Sequence, residues 1–241
     1  MSRSGWFDGP VPRILAHRGL ALDAPQNSID AFRAAVAAGA THLETDVRAT
    51  ADGAAVLVHD ARLPDGREVA DLPLATLRGA LPAVATLAEA LTALPDARFN
   101  IDVKHADGVA PTAAAVAEAA AASRVLLTSF SRRRRRAVLR LVPTAATSAS
   151  ADGVAGVVAG LRLRSPGLTR FAVRGVEALQ IPERAAGADL AAPWSIAAMH
   201  RAGVEVHFWV VNDPTRMREL VARGADGIVT DRPDLARDAL R

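Results

Sequence analysis

Two histidines and a pair of carboxylates are the side chains of this sequence that are best suited to chemistry. His17, Glu44, Asp46 and His59 lie within 43 positions of one another. Histidine titrates near neutral pH, so it can donate or accept a proton. Paired carboxylates offer the hard oxygen ligands that magnesium and calcium prefer. The set supplies two proton-transfer groups and a cation site, which are the groups needed to cleave a phosphodiester.

The composition limits the metals and partners that can be expected. The 241 residues include no cysteine, which excludes disulfides and thiolate-bound zinc or iron, so a metal would bind oxygen or imidazole. This favours magnesium or calcium. The pI of 10.6 accompanies a net charge of only +3, because a chain without Tyr or Cys has few groups that titrate between His and Arg. A basic binding surface does not follow from it.

Short β-type runs alternate with alanine-rich helical segments along the chain. This pattern is typical of a parallel sheet covered by helices, and eight such runs predict an α/β fold, a closed (β/α)8 TIM barrel forming one domain over 1–241. The predicted strands are 14–17, 42–48, 98–104, 125–130, 144–148, 178–182, 204–211 and 226–231. In the Gly- and Ala-rich stretch after 148, an alternative position for a strand is 170–173.

A β-hairpin is predicted directly after the second strand. Asp52-Gly53 favours a two-residue type I′ turn, so the runs on either side should pair antiparallel. With two turn residues, the numbers of paired positions sum to 105, which would place His59 directly opposite Asp46. A short cap insertion is expected to follow at about 61–82.

Side-chain alternation adds further groups to the same face. Residues two apart on a strand point to one side, so Glu44 and Asp46 share a face, as do Asp102 and Lys104, and inside a barrel that face is the lumen. Clustered carboxylates are stable together only if a cation or cationic side chains neutralise them. Lys104 is the only lysine of the chain, which favours a specific role for a compact ammonium group there.

Each of these residues also has an ordinary structural interpretation. A single strand-end carboxylate is more often solvated than functional, and a single histidine after an apolar run is more often a core residue. Arg18 could hold a phosphate oxygen or form an outward salt bridge. Trp209 could pack on a substrate or on the core. The functional interpretation depends on the polar residues that follow nearly every predicted strand.

Two larger partners are not expected. Residues 132–136 are five consecutive arginines, but on a helix they would point all around the axis, and no aromatic residues interleave them, so we predict no nucleic-acid site. No segment has 18 uninterrupted apolar residues, and the N-terminus has no apolar signal-like region. We therefore predict no stable membrane insertion and a cytoplasmic location.

Taken together, the motifs resemble the glycerophosphodiester phosphodiesterase family, which are phospholipase-C-like TIM-barrel phosphodiesterases. The matching segments run nearly end to end and lie at 16–19, 24–28, 43–47, 50–53, 56–60, 100–104, 129–130, 209–212 and 224–233. Any one of them is weak evidence, whereas the ordered set is highly specific.

The resemblance implies hydrolysis of a small-molecule glycerophosphodiester to glycerol 3-phosphate and an alcohol. The implied roles are acid and base for His17 and His59, ligation of one divalent cation, Mg²⁺ or Ca²⁺, for Glu44, Asp46 and Asp102, and phosphate binding for Arg18 and Lys104. Trp209 is predicted to bind substrate for a separate reason, its position at the C-terminal end of a predicted strand. Two alternatives are a related phosphodiesterase that acts on lysophospholipids and a non-catalytic barrel that only binds phosphodiesters.

Three departures from the family pattern bear on function. Gln26 stands where the family usually has Glu, which changes the charge of the site by one unit. Asp102 stands where Glu is more common, and it is shorter by about 1.5 Å, so it could reach a metal through water. The insertion at 61–82 is short, which suggests an open pocket and loose selectivity for the leaving alcohol.

Overall fold

The computed structural model describes residues 4–241, and its sheet places the C-terminal strand ends together at one face. The strands are β1 Arg13–His17, β2 His42–Ala49, β3 Ala55–Leu57, β4 Arg98–Val103, β5 Val125–Thr128, β6 Ala178–Ile181, β7 Arg184–Ala185, β8 Ala188–Asp189, β9 Glu205–Phe208 and β10 Gly227–Thr230. The α-helices are α1 Ile29–Ala37, α2 Leu74–Ala80, α3 Leu87–Ala93, α4 Val109–Glu118, α5 Arg132–Leu141, α6 Ala151–Arg162, α7 Pro166–Ala172, α8 Pro193–Arg201, α9 Pro214–Ala222 and α10 Pro233–Ala239.

Seven strands pair in parallel in the order β5-β4-β2-β1-β10-β9-β6. Between the two edges of this sheet, Ala146 bridges Leu126 of β5, and Ser148 bridges Ala178 of β6, both in parallel. The segment 146–148 is therefore the eighth element of the wall, and the predicted (β/α)8 barrel is confirmed. The alternative strand at 170–173 is wrong, because α7 runs through Ala172.

The helices bury their apolar faces against the outside of the strands. Helix α1 begins after Ser28, whose side-chain oxygen accepts a hydrogen bond from the backbone N–H of Ala31, which is the usual N-cap arrangement. On its buried face, the ring of Phe32 packs edge-on against that of Phe99 of β4, with ring centroids 5.7 Å apart. This packing fixes α1, and with it the loop between β1 and α1 that carries part of the site.

The hairpin of β2 and β3 forms, but its predicted register is wrong by one residue. Val47 pairs with Leu57 and Ala49 with Ala55, so Asp46 faces position 58 rather than His59. The loop has three residues, because Thr50 N–H donates to the Ala54 carbonyl, and the Thr50 hydroxyl accepts from Ala54 N–H. Such a loop, with Gly53 at φ +82°, is the next commonest hairpin connection.

Residues 61–82 fold against the outside of this hairpin. They comprise an antiparallel bridge between Arg62 and Glu68, a 3-10 turn over Val69–Asp71 and helix α2. Leu63, Val69 and Leu77 pack with Val56 of β3 in a small apolar cluster of their own. The insertion is thereby held against the hairpin, beside the residues that follow β3.

The opposite end of the barrel, where the strands begin, is closed by a 3-10 turn over Gly5–Phe7. The indole N–H of Trp6 donates to the Phe99 carbonyl at 3.0 Å. Beneath it, Arg13 pairs with Glu205 through two hydrogen bonds of 2.7 and 3.0 Å.

Across the part of the chain that the structure describes, no helix combines the length and apolarity needed to cross a membrane.

Candidate active site

All eight residues that the sequence singled out line one pocket at the C-terminal ends of the strands, with a volume of about 490 Å³. We call it the main pocket. It is formed by strands that are distant in sequence but adjacent in the barrel, and Asp46 of β2 pairs directly with Asp102 of β4. The eight residues are His17, Arg18, Glu44, Asp46, His59, Asp102, Lys104 and Trp209.

His17, the last residue of β1, is held by a carboxylate that sequence reasoning missed. Its Nδ1 lies 2.7 Å from Oδ1 of Asp231, and the other oxygen of Asp231 accepts from the side-chain amide of Asn212 at 2.7 Å. The hydrogen bond from His17 lowers the pKa of Asp231. An ionised Asp231 favours the tautomer with the proton on Nδ1, which leaves Nε2 of His17 free to exchange a proton in the pocket.

The chain turns sharply after His17, and the turn explains the Arg18-Gly19 pair. Both residues have positive φ, +57° for Arg18 and +88° for Gly19. A side chain at position 19 would come within 2.7 Å of the backbone of Ala31, so glycine is required there. The turn lets the Arg18 N–H donate to the Glu44 carbonyl at 3.0 Å while its side chain enters the main pocket.

Three carboxylates and two cations form the centre of the pocket. Nζ of Lys104 lies 2.7 Å from one oxygen each of Asp46 and Asp102. The Nε of Arg18 lies 2.9 Å from the other oxygen of Asp46, as an ion pair without hydrogen-bond geometry. Glu44 is likewise buried, and its carboxylate accepts a hydrogen bond from Arg18 N–H at 3.2 Å. With all three carboxylates ionised, these five side chains carry one more negative than positive charge.

Burial and the neighbouring charges together shift the pKa values of the three carboxylates. Burial, together with Asp46 and Asp102, raises the pKa of Glu44 well above its ordinary value. Burial also raises the pKa of Asp102, although Lys104 opposes it. Burial alone would raise the pKa of Asp46, but Lys104 and Arg18 outweigh it and lower that pKa. A further cation near Glu44 would be stabilised by this environment.

The carboxylates match a hard cation in chemistry and charge, but they are not arranged around a common point. Oδ1 of Asp102 is buried without a hydrogen-bond partner, as expected for an oxygen available to a ligand. Lys104, however, occupies the space between Asp46 and Asp102, and among the described residues no three His, Asp or Glu side chains converge as metal ligands do. Binding a cation would require these side chains to move apart from Lys104 and toward each other.

His59 enters the main pocket from the chain that follows β3. Its Nδ1 lies 2.8 Å from Oδ1 of Asp60, and its carbonyl accepts a hydrogen bond from Arg48 Nε at 2.9 Å. The predicted direct pairing with Asp46 is absent, yet His59 still faces the same cavity. With Nδ1 bonded to Asp60, His59 presents Nε2 to the cavity, whereas Nε2 of His17 lies 4.0 Å from a carboxylate oxygen of Glu44.

Asn27 is a second residue that sequence reasoning did not assign. It is buried and has φ +59°, a conformation that Asn tolerates better than most residues. Its amide nitrogen donates to Asp46 at 3.4 Å, and its carbonyl oxygen accepts from the Thr45 hydroxyl at 2.8 Å. Asn27 ties the β1–α1 loop to β2. Its place in the motif at 24–28 was the available signal.

With this geometry established, the chain can be compared with known proteins. Residues 17–235 match the Glycerophosphoryl diester phosphodiesterase family. The chain belongs to this family. The match confirms the resemblance that the motifs indicated and the expectation of an enzyme of the phosphodiesterase class. The matched range contains every one of the eight site residues.

Individual relatives of the family agree with this assignment. The chain is 41% identical over 239 residues to a probable glycerophosphodiester phosphodiesterase 2 of Mycobacterium tuberculosis, covering 94% of this chain and 89% of the relative. A solved glycerophosphodiester phosphodiesterase from Agrobacterium tumefaciens is 26% identical, with a TM-score of 0.76 over 94% of this chain and 98% of that one.

A more distant structure shares the fold. It is a phosphodiesterase from Oleispira antarctica, solved in complex with the product sn-glycerol-3-phosphate. It is 21% identical to this chain, with a TM-score of 0.74 over 95% of this chain and 97% of that one. At this identity the likeness supports the TIM-barrel fold.

Proposed function

We propose that this chain hydrolyses glycerophosphodiesters to glycerol 3-phosphate and an alcohol. The observation that carries the proposal is the convergence of two histidines, two cationic side chains and three carboxylates on the main pocket. The family of the chain and the product bound by the Oleispira antarctica phosphodiesterase support the same substrate class.

We assign the two proton transfers to His17 and His59. Each has a carboxylate on Nδ1, Asp231 in one case and Asp60 in the other, so each offers Nε2 to the substrate. One histidine removes a proton from the nucleophile, and the other gives a proton to the leaving alcohol, a step that general acids accelerate by about 10² to 10⁴ fold. If the nucleophile is the adjacent glycerol hydroxyl, a cyclic phosphate forms; if it is water, glycerol 3-phosphate forms directly.

Arg18 and Lys104 are proposed to bind the phosphate. Both are held in place by Asp46 before any substrate enters. Positive charge that is already oriented stabilises the negative charge on the non-bridging oxygens as the ester bond breaks, and this is usually the largest catalytic contribution. Trp209, 37% exposed at the mouth of the pocket, can pack on the glycerol carbons.

We further propose that Glu44, Asp46 and Asp102 hold one divalent cation, Mg²⁺ or Ca²⁺. Support comes from the oxygen donors, from the excess negative charge and from the unpartnered Oδ1 of Asp102. When bound, such a cation would act as a Lewis acid on the phosphate. The direction of the pKa of Glu44 also predicts that cation binding at pH values below that pKa releases a proton.

The test is an assay of several glycerophosphodiesters with Mg²⁺, with Ca²⁺ and with a chelator, following glycerol 3-phosphate and any cyclic phosphate by ³¹P NMR. We expect glycerol 3-phosphate to form with at least one cation and to fall to background with the chelator. Activity that is unchanged by the chelator would show that the reaction needs no divalent cation. No turnover under any condition would contradict the proposed diesterase activity. Calorimetric titration of wild type and Glu44→Gln with each cation gives a readout independent of activity.

A second candidate substrate is a lysophospholipid. The mouth of the main pocket exposes Phe130 by 64% and Val210 by 40%, beside Trp209, and this apolar rim could contact an acyl chain attached to the glycerol. The ratio of kcat/KM for lysophosphatidylcholine to that for glycerophosphocholine separates the two substrates. The cytoplasmic location and the absence of a nucleic-acid site stay predictions from the sequence.

A further inference from the structure

A second cavity lies next to the main pocket, and the two share a boundary. We call it the side groove; its volume is about 290 Å³. It is formed by the β1–α1 loop, by the chain that follows β3 and by residues 81–84 at the end of the insertion. Arg18 and His59 line both cavities, whereas His17 lines only the main pocket. The junction therefore carries one phosphate-binding residue and one histidine.

A phosphodiester has two arms that extend from a central phosphate. With the phosphate at Arg18, the two cavities can take one arm each. The main pocket offers polar side chains from four neighbouring elements of the wall, Asn100, Thr128, Ser148 and Gln180, which suit the hydroxyl groups of the glycerol arm. The other arm, the alcohol that leaves, then has the side groove available.

The lining of the side groove indicates what kind of alcohol it accepts. Its apolar residues are Leu57, Val58, Leu81, Pro82, Ala83 and Val84, together with Pro25. Arg18 lies 2.9 Å from Asp46, which balances its charge. Asp60 lies 2.8 Å from Nδ1 of His59, and the acid form of His59 that would donate a proton to the leaving alcohol balances the charge of Asp60. Gln26 contributes a neutral amide, whose oxygen accepts from Arg18 at 3.3 Å. Such a lining favours an alcohol without a charge of its own.

We propose that the side groove is the binding site for the leaving alcohol and that it selects uncharged alcohols. This inference rests on the proposed function, because it assumes that diesters are cleaved in the main pocket. The bond between phosphorus and the leaving oxygen breaks, its electron pair stays on that oxygen, and Nε2 of His59 supplies the proton. The new bond comes from the glycerol hydroxyl or water whose proton Nε2 of His17 accepts.

The experiment uses one bulky substitution in each cavity. Ala83 lines the side groove and Ala151 lines the main pocket, and both are exposed, so neither Ala83→Trp nor Ala151→Trp should disturb the core. The substrates are sn-glycerol 3-phosphate esters of methanol, inositol and choline, which differ only in the leaving alcohol. Circular dichroism and the Tm establish that each variant is folded.

We expect Ala83→Trp to lower kcat/KM for the inositol ester by about tenfold more than for the methyl ester. Ala151→Trp should change both values by the same factor, because the glycerol arm is common to both substrates. Wild type should prefer the inositol ester to the choline ester.

The deciding quantity is the ratio of kcat/KM for the inositol ester to kcat/KM for the methyl ester. A ratio that is unchanged in Ala83→Trp, or that changes more in Ala151→Trp, would overturn the assignment of the side groove. A wild type that prefers the choline ester would overturn the selection of uncharged alcohols. A wild type that is inactive on all three esters would instead overturn the proposed function, and this result is read without any variant.

Discussion

The two ends of the barrel both bury charged side chains, but they balance the charge differently. Where the strands begin, Arg13 and Glu205 form an ion pair joined by two hydrogen bonds beneath the Gly5–Phe7 turn. Where the strands end, three carboxylates face two cations in a pocket that is open to solvent. Charges that are paired and covered serve the fold, whereas an excess of one sign in a pocket is suited to binding a ligand.

The pKa values of two glutamates show the same contrast. Burial acts to raise the pKa of Glu205, but its hydrogen bonds with Arg13 and His207 outweigh burial and hold that pKa far below its ordinary value. Glu44 lacks comparable compensation, so burial and the neighbouring Asp46 and Asp102 raise its pKa. Ionised Glu205 therefore stabilises the folded chain, whereas ionised Glu44 destabilises it until a cation binds.

We call the end of the barrel where the strands begin the closed end, and the end that carries the main pocket the open end. The largest effect on stability is expected at the closed end. Glu205→Ala would leave the 2%-exposed Arg13 without its carboxylate partner, and an uncompensated buried charge costs about 3–5 kcal/mol of unfolding free energy. Urea unfolding measures this loss. Under conditions where the variant is folded, kcat/KM should match wild type; a variant with normal stability and reduced activity would contradict the division between the two ends.

At the open end, Asp231→Asn should affect activity far more than stability. The variant keeps the shape of Asp231 but removes the charge that favours the proton on Nδ1 of His17. We expect kcat to fall by about 10² fold, with a Tm close to that of wild type. The pH profile of kcat should change as well, because the imidazole of His17 loses its charged partner. If kcat falls but its pH profile keeps the shape of the wild-type profile, Asp231 would have only a structural role.

Glu44→Gln, measured in the presence of a chelator, should increase the free energy of unfolding, whereas Glu205→Ala should lower it. The expected change is also smaller. Below the ordinary pKa of 4.5, Glu44 is neutral in both folded and unfolded chains, so variant and wild type should be equally stable. As pH rises through 4.5, the unfolded chain ionises first, and wild type loses stability relative to the variant. At neutral pH the variant should be more stable by about 1 kcal/mol, although inactive. Equal stability at all pH values would contradict a destabilising Glu44.

His42, near the closed end, gives a further pH dependence. Burial, which outweighs a hydrogen bond with the Trp6 carbonyl, lowers its pKa from 6.5 to about 3. His42 is therefore neutral in the folded chain while the unfolded chain takes up a proton between these values, and stability should fall as pH drops from 6.5 toward 3. His42→Gln should flatten this part of the stability profile. A slope equal to that of wild type would show that His42 does not cause it.

Much of the fold and the site could be predicted because the decisive signals are local. Alternation on a strand is enough to place Glu44 beside Asp46, and Asp102 beside Lys104 in the same lumen. The hairpin register could not be obtained in this way, because the Asp52-Gly53 pair does not reveal that Thr50 closes a three-residue loop. A shift of one position was enough to remove the expected pairing of His59 with Asp46.

Long-range partners were beyond the sequence for a different reason. Asp231 lies 214 positions after His17, and the two meet only because β10 pairs with β1 when the barrel closes. The same closure creates the charge balance at each end of the barrel. Neither the Arg13–Glu205 pair nor the boundary between the two cavities at Arg18 and His59 has a signature in local spacing.

The central claim is that His17 and His59 carry out the two proton transfers at the open end. Its most direct test is kcat for glycerophosphodiester cleavage by His17→Ala, His59→Ala and the double variant, each checked for folding by its Tm. We predict that each single variant loses about 10² fold or more and that the double variant is near background, with every Tm close to wild type. A folded double variant that retains nearly full activity would contradict the account.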